Sequence, residues 1–296
     1  MLRKLLAVSV TLMFAVSIAA AADTAQPRAN LSAADIVSRN IAARGGLQAW
    51  RAVQAISWTG KMGVGGNQRA PIPLVSPGKS SARIPTDPRP KDEVQLPFVL
   101  EMQRPRKVRF EIQFKGQTSV QVYDGDKGWK LRPYLNRLEV EPFTADELKA
   151  SAMQQELDGP LVDYAAKGTR IELSGMEKVE DRDAYKLKLT LKDGREVHMW
   201  IDAQTFLEAK IEGQPRRLDG VDHPVEVYSR DYRSVDGLQI PFLVETRVLP
   251  VARAAGGMTN IQAPPEKMII DKVVVNPKLD ASLFAKPQVE TAANRH

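Results

Sequence analysis

From residue 107 the chain changes polarity at almost every position. Val108, Phe110, Ile112 and Phe114 alternate with Lys107, Arg109, Glu111, Gln113 and Lys115, the period-two signature of a strand with one wet face. The pattern returns where Tyr185, Leu187, Leu189 and Leu191 alternate with Lys186, Lys188 and Thr190, and where Val197, Met199 and Ile201 alternate with Glu196, His198 and Asp202. It continues in Leu207, Ala209 and Ile211 and in Leu238, Ile240, Phe242 and Val244, while residues 56–62 predict a first strand. Turn signals at Lys115-Gly116-Gln117, Asp124-Gly125-Asp126, Lys192-Asp193-Gly194 and residues 234–237 join these runs as hairpins. Sequential hairpins with one apolar face predict a strongly curved antiparallel sheet, and such a sheet must cover that face.

The cover is predicted to be helical. Ser32 and Asp35 form a capping pair ahead of a helix that carries Ile36, Val37 and Ile41 on one side and stops at Gly45-Gly46. A short helical segment over residues 47–53 carries Trp50. Residues 144–157 predict a second covering helix, opened by Thr144 and Glu147 and presenting Leu148, Met153 and Leu157, with a break at Asp158-Gly159-Pro160 and one or two further turns over 161–166. Between these elements, residues 63–97 hold prolines 71, 73, 77, 85, 88, 90 and 97 and no periodicity. They are expected to form a flap with little regular structure, inserted into one domain, because strands resume directly beyond it. The fold class is α+β, mostly β: one domain over 23–296, a curved antiparallel sheet with a few helices on its concave face.

The N-terminus changes the setting. Arg3 and Lys4 precede an apolar run over 5–18, and Ala20-Ala21-Ala22 supplies a small-x-small cleavage pattern before Asp23. This is the layout of a secretory leader over residues 1–22; the apolar run falls short of the ~20 residues of a spanning helix. Cysteine is absent, so there are no disulfides, no thiol nucleophile and no cysteine to carry a lipid, and stability must come from an ordinary core. The formal charge of +6 falls to +4 once Arg3 and Lys4 are removed, and it is mixed with acidic residues along the chain. No concentrated basic face or recognition module marks a nucleic-acid partner.

Candidate chemistry is sparse. His198, His223 and His296 are isolated from one another and lack any metal-ligand spacing; His198 falls on the polar side of a strand, and His223, before Pro224, reads as a solvated loop residue. No Gly-x-Ser-x-Gly elbow or phosphate loop is present, and Gly63, Gly65 and Gly66 fall short of a dinucleotide fingerprint. Asp124 and Asp126 suit a hairpin turn better than a calcium loop. Glu139 with Glu141 and Asp181 with Asp183 are acidic pairs of a kind that arises by chance, and Trp50, Trp58, Trp129 and Trp200 suit a core or cavity wall. The expectation is a protein that is not an enzyme and has neither cofactor nor metal.

Arg104-Pro105, then Tyr123-Asp124-Gly125 with Gly128-Trp129, resemble the strand-turn-strand of the LolA/LolB-like lipoprotein-sorting superfamily. Asp231-Tyr232-Arg233, Asp236-Gly237-Leu238, Ile240-Pro241-Phe242 and Asn276-Pro277-Lys278-Leu279-Asp280 with Phe284 and Pro287 follow its closing segments. The resemblance spans most of residues 33–287, with 63–97 as a departure. It implies a half-open β-barrel with a helical lid, an apolar cavity for acyl chains, and a soluble periplasmic carrier of a lipid or lipid-modified protein. An inner-membrane transporter or an outer-membrane acceptor is then the expected partner. The alternative function is an envelope lipid sensor or scaffold that uses the same fold to bind a membrane partner, with the 63–97 flap as its contact surface.

The cavity lining is expected at Phe110, Ile112, Phe114, Leu187, Leu189, Met199 and Phe242, with Leu148, Met153 and Leu157 from the lid. Such a face either packs fully against its helices or leaves a gap. Each buried methylene contributes ~0.8 kcal/mol, so one acyl chain in a gap is worth roughly 10 kcal/mol before entropy costs.

Overall fold

The computed structural model describes residues 31–64, 94–133, 137–152, 156–218, 220–252 and 264–288. The leader therefore lies outside the described residues, as do residues 65–93 of the flap and Met153. All but the first described residue fall in one compact unit, Ser32–His296.

Among the described residues, thirteen strands form one open antiparallel sheet in the order β6-β5-β4-β3-β2-β1-β13-β12-β11-β10-β9-β8-β7. One meander runs outward through β1 (Ala55–Val64), β2 (Val94–Gln103), β3 (Lys107–Phe114), β4 (Gln117–Tyr123), β5 (Gly128–Arg132) and β6 (Arg137–Pro142). A second returns from the far edge through β7 (Arg170–Val179), β8 (Arg182–Thr190), β9 (Glu196–Asp202), β10 (Glu208–Leu218), β11 (Val221–Val235), β12 (Leu238–Val248) and β13 (Glu266–Val275). Ladder pairing of β1 with β13 joins the meanders. At that seam Gly60 meets a register shift, and a Cβ there would stand 2.1 Å from the Ile269 carbonyl oxygen. Only glycine permits the approach.

Because β6 and β7 lie at opposite edges, the chain between them has to cross one face of the sheet. Helix α3 (Ala145–Ala152) starts that crossing, and Leu161 and Val162 are buried further along it. The same face is covered by α1 (Ala33–Ala43) and α2 (Leu47–Ala52). Both predicted capping boxes form: Asp35 N–H donates to Ser32 Oγ at 3.2 Å and Ser32 N–H to Asp35 Oδ2 at 3.0 Å, while Thr144 N–H donates to Glu147 Oε2 at 2.8 Å and Glu147 N–H to Thr144 Oγ1 at 3.2 Å. Gly45, at φ 113°, ends α1 where a side chain would strike the Gly237 carbonyl oxygen, so α1 seats on the β11–β12 hairpin.

The main core joins Trp50 of α2 and Val53 just beyond it, Ile56, Phe98, Ile270 and Val273 of the central strands, Val162 of the crossing, and Leu238, Ile240 and Phe242 of β12. Several expectations change. α3 is described only to Ala152, and Leu157 lies in a turn before the Asp158-Gly159 break. β1 and β2 run into the predicted flap from both ends, to Val64 and from Val94. His223 is not a solvated loop residue: it is 1% exposed inside β11, with Nδ1 2.9 Å from the Leu249 carbonyl oxygen.

The single apolar face also has an exception. In β4 and β5 the apolar residues Val120, Val122, Trp129 and Leu131 point to the convex side, where Leu279, Leu283 and Phe284 from beyond β13 pack over them. On the concave side the same strands present Gln121 and Lys130.

Candidate functional site

Register decides which side chains share the concave face, since directly opposed residues point the same way. Phe110 lies opposite Leu100, Leu100 opposite Trp58, and Trp58 opposite Val273. One pleat along, Ile112, Phe98, Gly60 and Ile270 form the next row. In the second meander Leu187, Met199, Ile211 and Val227 form a row, with Leu189 opposite Val197. The seven predicted strand residues, Phe110, Ile112, Phe114, Leu187, Leu189, Met199 and Phe242, all lie on this one face.

Burial divides them. Leu187 and Leu189 are fully buried, Met199 is 1% exposed and Phe242 6%. Phe110, Ile112 and Phe114 are half-buried. Phe110, Ile112, Phe242 and Leu157 belong to or pack on the main core, together with half-buried Trp58, Met62, Leu100, Met102, Val244 and Met268. The face is thus sealed under β8 and β9, whereas over β1–β3 half-buried Trp58, Leu100, Phe110, Ile112 and Phe114 form an apolar strip around buried Ile56 and Phe98. Leu148 is half-buried on α3, none of whose residues is buried; this helix docks through Glu147, whose Oε1 and Oε2 lie 2.5 and 2.6 Å from Lys130 Nζ on β5. Burial raises the Glu147 pKa, yet the Lys130 and Thr144 hydrogen bonds outweigh it and hold the carboxyl below its usual range.

Sequence reading gave Trp58 to a core or cavity wall but passed over Leu100 and Met102. The signal was present in Leu96, Phe98, Leu100 and Met102, which alternate; Pro97, at the end of a proline-rich run, obscured it.

Where the crossing meets the β2–β3 turn, Asp158 is 3% exposed and accepts from Arg104 Nη2 at 2.7 Å and Lys167 Nζ at 2.6 Å, while its carbonyl accepts from Arg44 Nη1 at 2.8 Å. Arg104 also donates to the Trp50 and Val53 carbonyls. This network ties α1, α2, the β2–β3 turn and the crossing into one block.

A second concavity opens where β10 and β11 part. Their ladder begins at Lys210 and Tyr228, whereas β11 stays paired with β12 as far as Val235. A cavity of about 490 Å³ lies there, lined in part by Arg182, Glu208, Ser229, Arg230 and Tyr232. Burial raises the Glu208 pKa against the opposing pull of Arg44, and the carboxyl accepts from Ser229 Oγ at 3.3 Å.

The convex face over β8–β11 is of another kind. Lys186 and Lys210 flank the Trp200 ring at 5.2 and 3.8 Å, and Arg247 lies 4.2 Å from the Tyr228 ring centre. Carboxylates neutralise these cations: Glu177 pairs with Lys186, Glu226 with Lys210 and Glu245 with Arg247. His198 lies on this polar side, 3.0 Å from Glu212. Asp124 Oδ1 accepts from the backbone of Asp126 and Lys127, which makes the Asp124–Asp126 pair a turn. Among the described residues no cluster of three or more His, Cys, Asp or Glu is placed to hold a metal ion, and no helix is long and apolar enough to cross a membrane.

No protein-family model matches the chain, and no curated protein does. Among solved structures it is similar to a LolA superfamily protein from Nitrosomonas europaea, at 12% identity over 86% of this chain and 98% of that one, with a TM-score of 0.49. It is similar also to a putative outer membrane lipoprotein-sorting protein domain from Vibrio parahaemolyticus, at 12% identity over 85% and 95%, TM-score 0.49. A DUF1329 family protein from Desulfovibrio piger shows 13% identity over 85% and 96%, again with a TM-score of 0.49.

Proposed function

We propose that this chain is an exported, periplasmic carrier that binds an acyl chain, as a lipid or a lipid-modified protein, along the concave strip of β1–β3 and moves it between envelope components. The observation that carries the reading is the contrast in burial on one continuous apolar face. Leu187, Leu189 and Met199 are sealed, whereas Phe110, Ile112, Phe114, Trp58 and Leu100 keep part of their surface open. Apolar surface left open on a concave face costs ~25 cal/mol per Å² relative to burial, and an acyl chain recovers that by covering it. The sealed residues form the floor of this reading, and the half-buried ones form the contact surface. Donor and acceptor membranes, or proteins seated in them, are the partners such a carrier needs.

The test is mass spectrometry of organic extracts from protein purified out of its native envelope fraction, combined with titration of the delipidated protein with acyl ligands. Copurifying lipid, and saturable binding that raises the thermal midpoint, are expected. No copurifying lipid and no binding of fatty acids, esters or phospholipids would remove the basis of the proposal.

A further inference from the structure

Among the described residues, four side chains have a buried polar atom without a hydrogen-bond partner: Asn40, Trp58, Arg132 and Arg230. Three of them keep other bonds. Asn40 Nδ2 donates to the Phe206 carbonyl, Arg132 to Glu141, and Arg230 to Glu180 through both Nη atoms. Trp58 differs, because an indole has one polar atom and here that atom is the orphan. The contrast with its relatives in the chain is direct: Trp50 Nε1 donates to the Arg44 carbonyl at 3.0 Å and Trp200 Nε1 to Glu177 Oε2 at 2.9 Å.

Trp58 stands in the middle of the concave strip. Its row neighbours are Leu100 and Val273, and Phe98 and Met102 follow along β2 on the same face. None of these side chains offers a strong acceptor, and their carbonyls belong to the sheet ladders. A covered N–H without an acceptor is costly, and native structures rarely keep one. A ligand oxygen brought to this N–H would supply the acceptor that the protein itself lacks.

We propose that Trp58 recognises the carbonyl oxygen of an ester- or amide-linked acyl group, so that the ligand is an acyl ester or amide and not a free fatty acid. The inference rests on the carrier reading and names its ligand class. Charge makes the distinction. The side chains directly beside Trp58 on β1, β2 and β13, namely Leu100, Val273, Phe98, Met102 and Ile56, include no cation; Lys130, four strands along the same row, is already paired with Glu147, and an unpaired carboxylate among apolar walls is strongly disfavoured. A neutral carbonyl carries no such penalty and supplies the acceptor.

The test uses the mature chain with uniform ¹⁵N labelling, methyl laurate carrying a ¹³C carbonyl, and laurate as the comparison. Of the indole N–H signals of the four tryptophans, the one lost in Trp58→Phe should move on adding the ester and stay near its original place with laurate. Isotope-edited infrared spectra should show the ester carbonyl at lower frequency in the complex than in hydrocarbon solvent. Trp58→Phe should return that band to the solvent position and weaken ester binding by about three- to tenfold more than it weakens laurate binding, the worth of one neutral hydrogen bond. Ester binding with an unshifted carbonyl band in the native protein overturns the inference and leaves the carrier reading standing; this measurement needs no variant. An equal response to laurate also overturns it. If neither ligand binds, both the inference and the carrier reading fall.

Discussion

Replacing Leu187 by Ala tests the division of the concave face into a sealed half and an open half. Leu187 is fully exposed to neither water nor ligand: its relative exposure is 0%, with Met199 at 1% directly opposite and Leu189 at 0% two residues along. Removing its terminal carbons leaves a cavity that fully buried neighbours cannot close, so the substitution should cost about 3–4 kcal/mol, within the range for buried leucines. The same truncation at half-buried Phe110 should cost less, about 2 kcal/mol, because part of its surface stays open to solvent after folding and the site has room to relax. Urea unfolding followed by circular dichroism measures both. Ligand titration should then invert the order: Phe110→Ala loses acyl affinity by roughly tenfold, from about half the transfer energy of a phenyl ring, and Leu187→Ala keeps it. A Leu187→Ala cost below about 1 kcal/mol, or a Phe110→Ala cost equal to it, would refute the division.

Three further outcomes follow from the geometry. Gly60→Ala places a Cβ 2.1 Å from the Ile269 carbonyl oxygen, so the β1–β13 seam must shift and stability should fall by about 2–3 kcal/mol, read as a lower urea midpoint. Glu147→Gln should cost about 1–2 kcal/mol at pH 7, because Lys130, with a side chain 8% exposed, loses its charge partner. Since the folded Glu147 pKa is lowered, its contribution is present above the unfolded carboxylate pKa and fades as pH falls through the folded one; native and variant midpoints should therefore converge in acid. Glu208 has the opposite sign: its raised folded pKa favours the native state at low pH, and that advantage is lost as pH rises through the folded value. Glu208→Gln should raise the thermal midpoint at pH 8 and leave it unchanged at pH 4; a variant less stable than the native protein at pH 8 would mean that the Arg44 attraction outweighs burial.

Local features were legible in the sequence because their causes are local. The capping boxes at Ser32 and Thr144 need only residues three apart, and both form. The alternation in β3, β8, β9 and β12 depends only on the pleat, so Phe110, Leu187, Met199 and Phe242 do share a face. Leu100 and Met102 stayed hidden because their strand, β2, begins inside a proline-rich run.

What period-two alternation cannot encode is which atoms come to lie over a face. Leu187 and Phe110 look alike in sequence, yet the first is sealed and the second half open, because α1, α2 and the crossing cover the sheet unevenly. Val120 and Val122 alternate like the rest but point outward, since residues beyond β13 return to pack on them. His223 reads as a loop residue until β11 buries it. Sequence by itself determined the strands, their faces and the helix starts, each set by neighbours a few residues away; burial, polarity inversion and the orphaned Trp58 N–H were decided by contacts between distant segments, which exist only once the sheet has curved and the chain has crossed it.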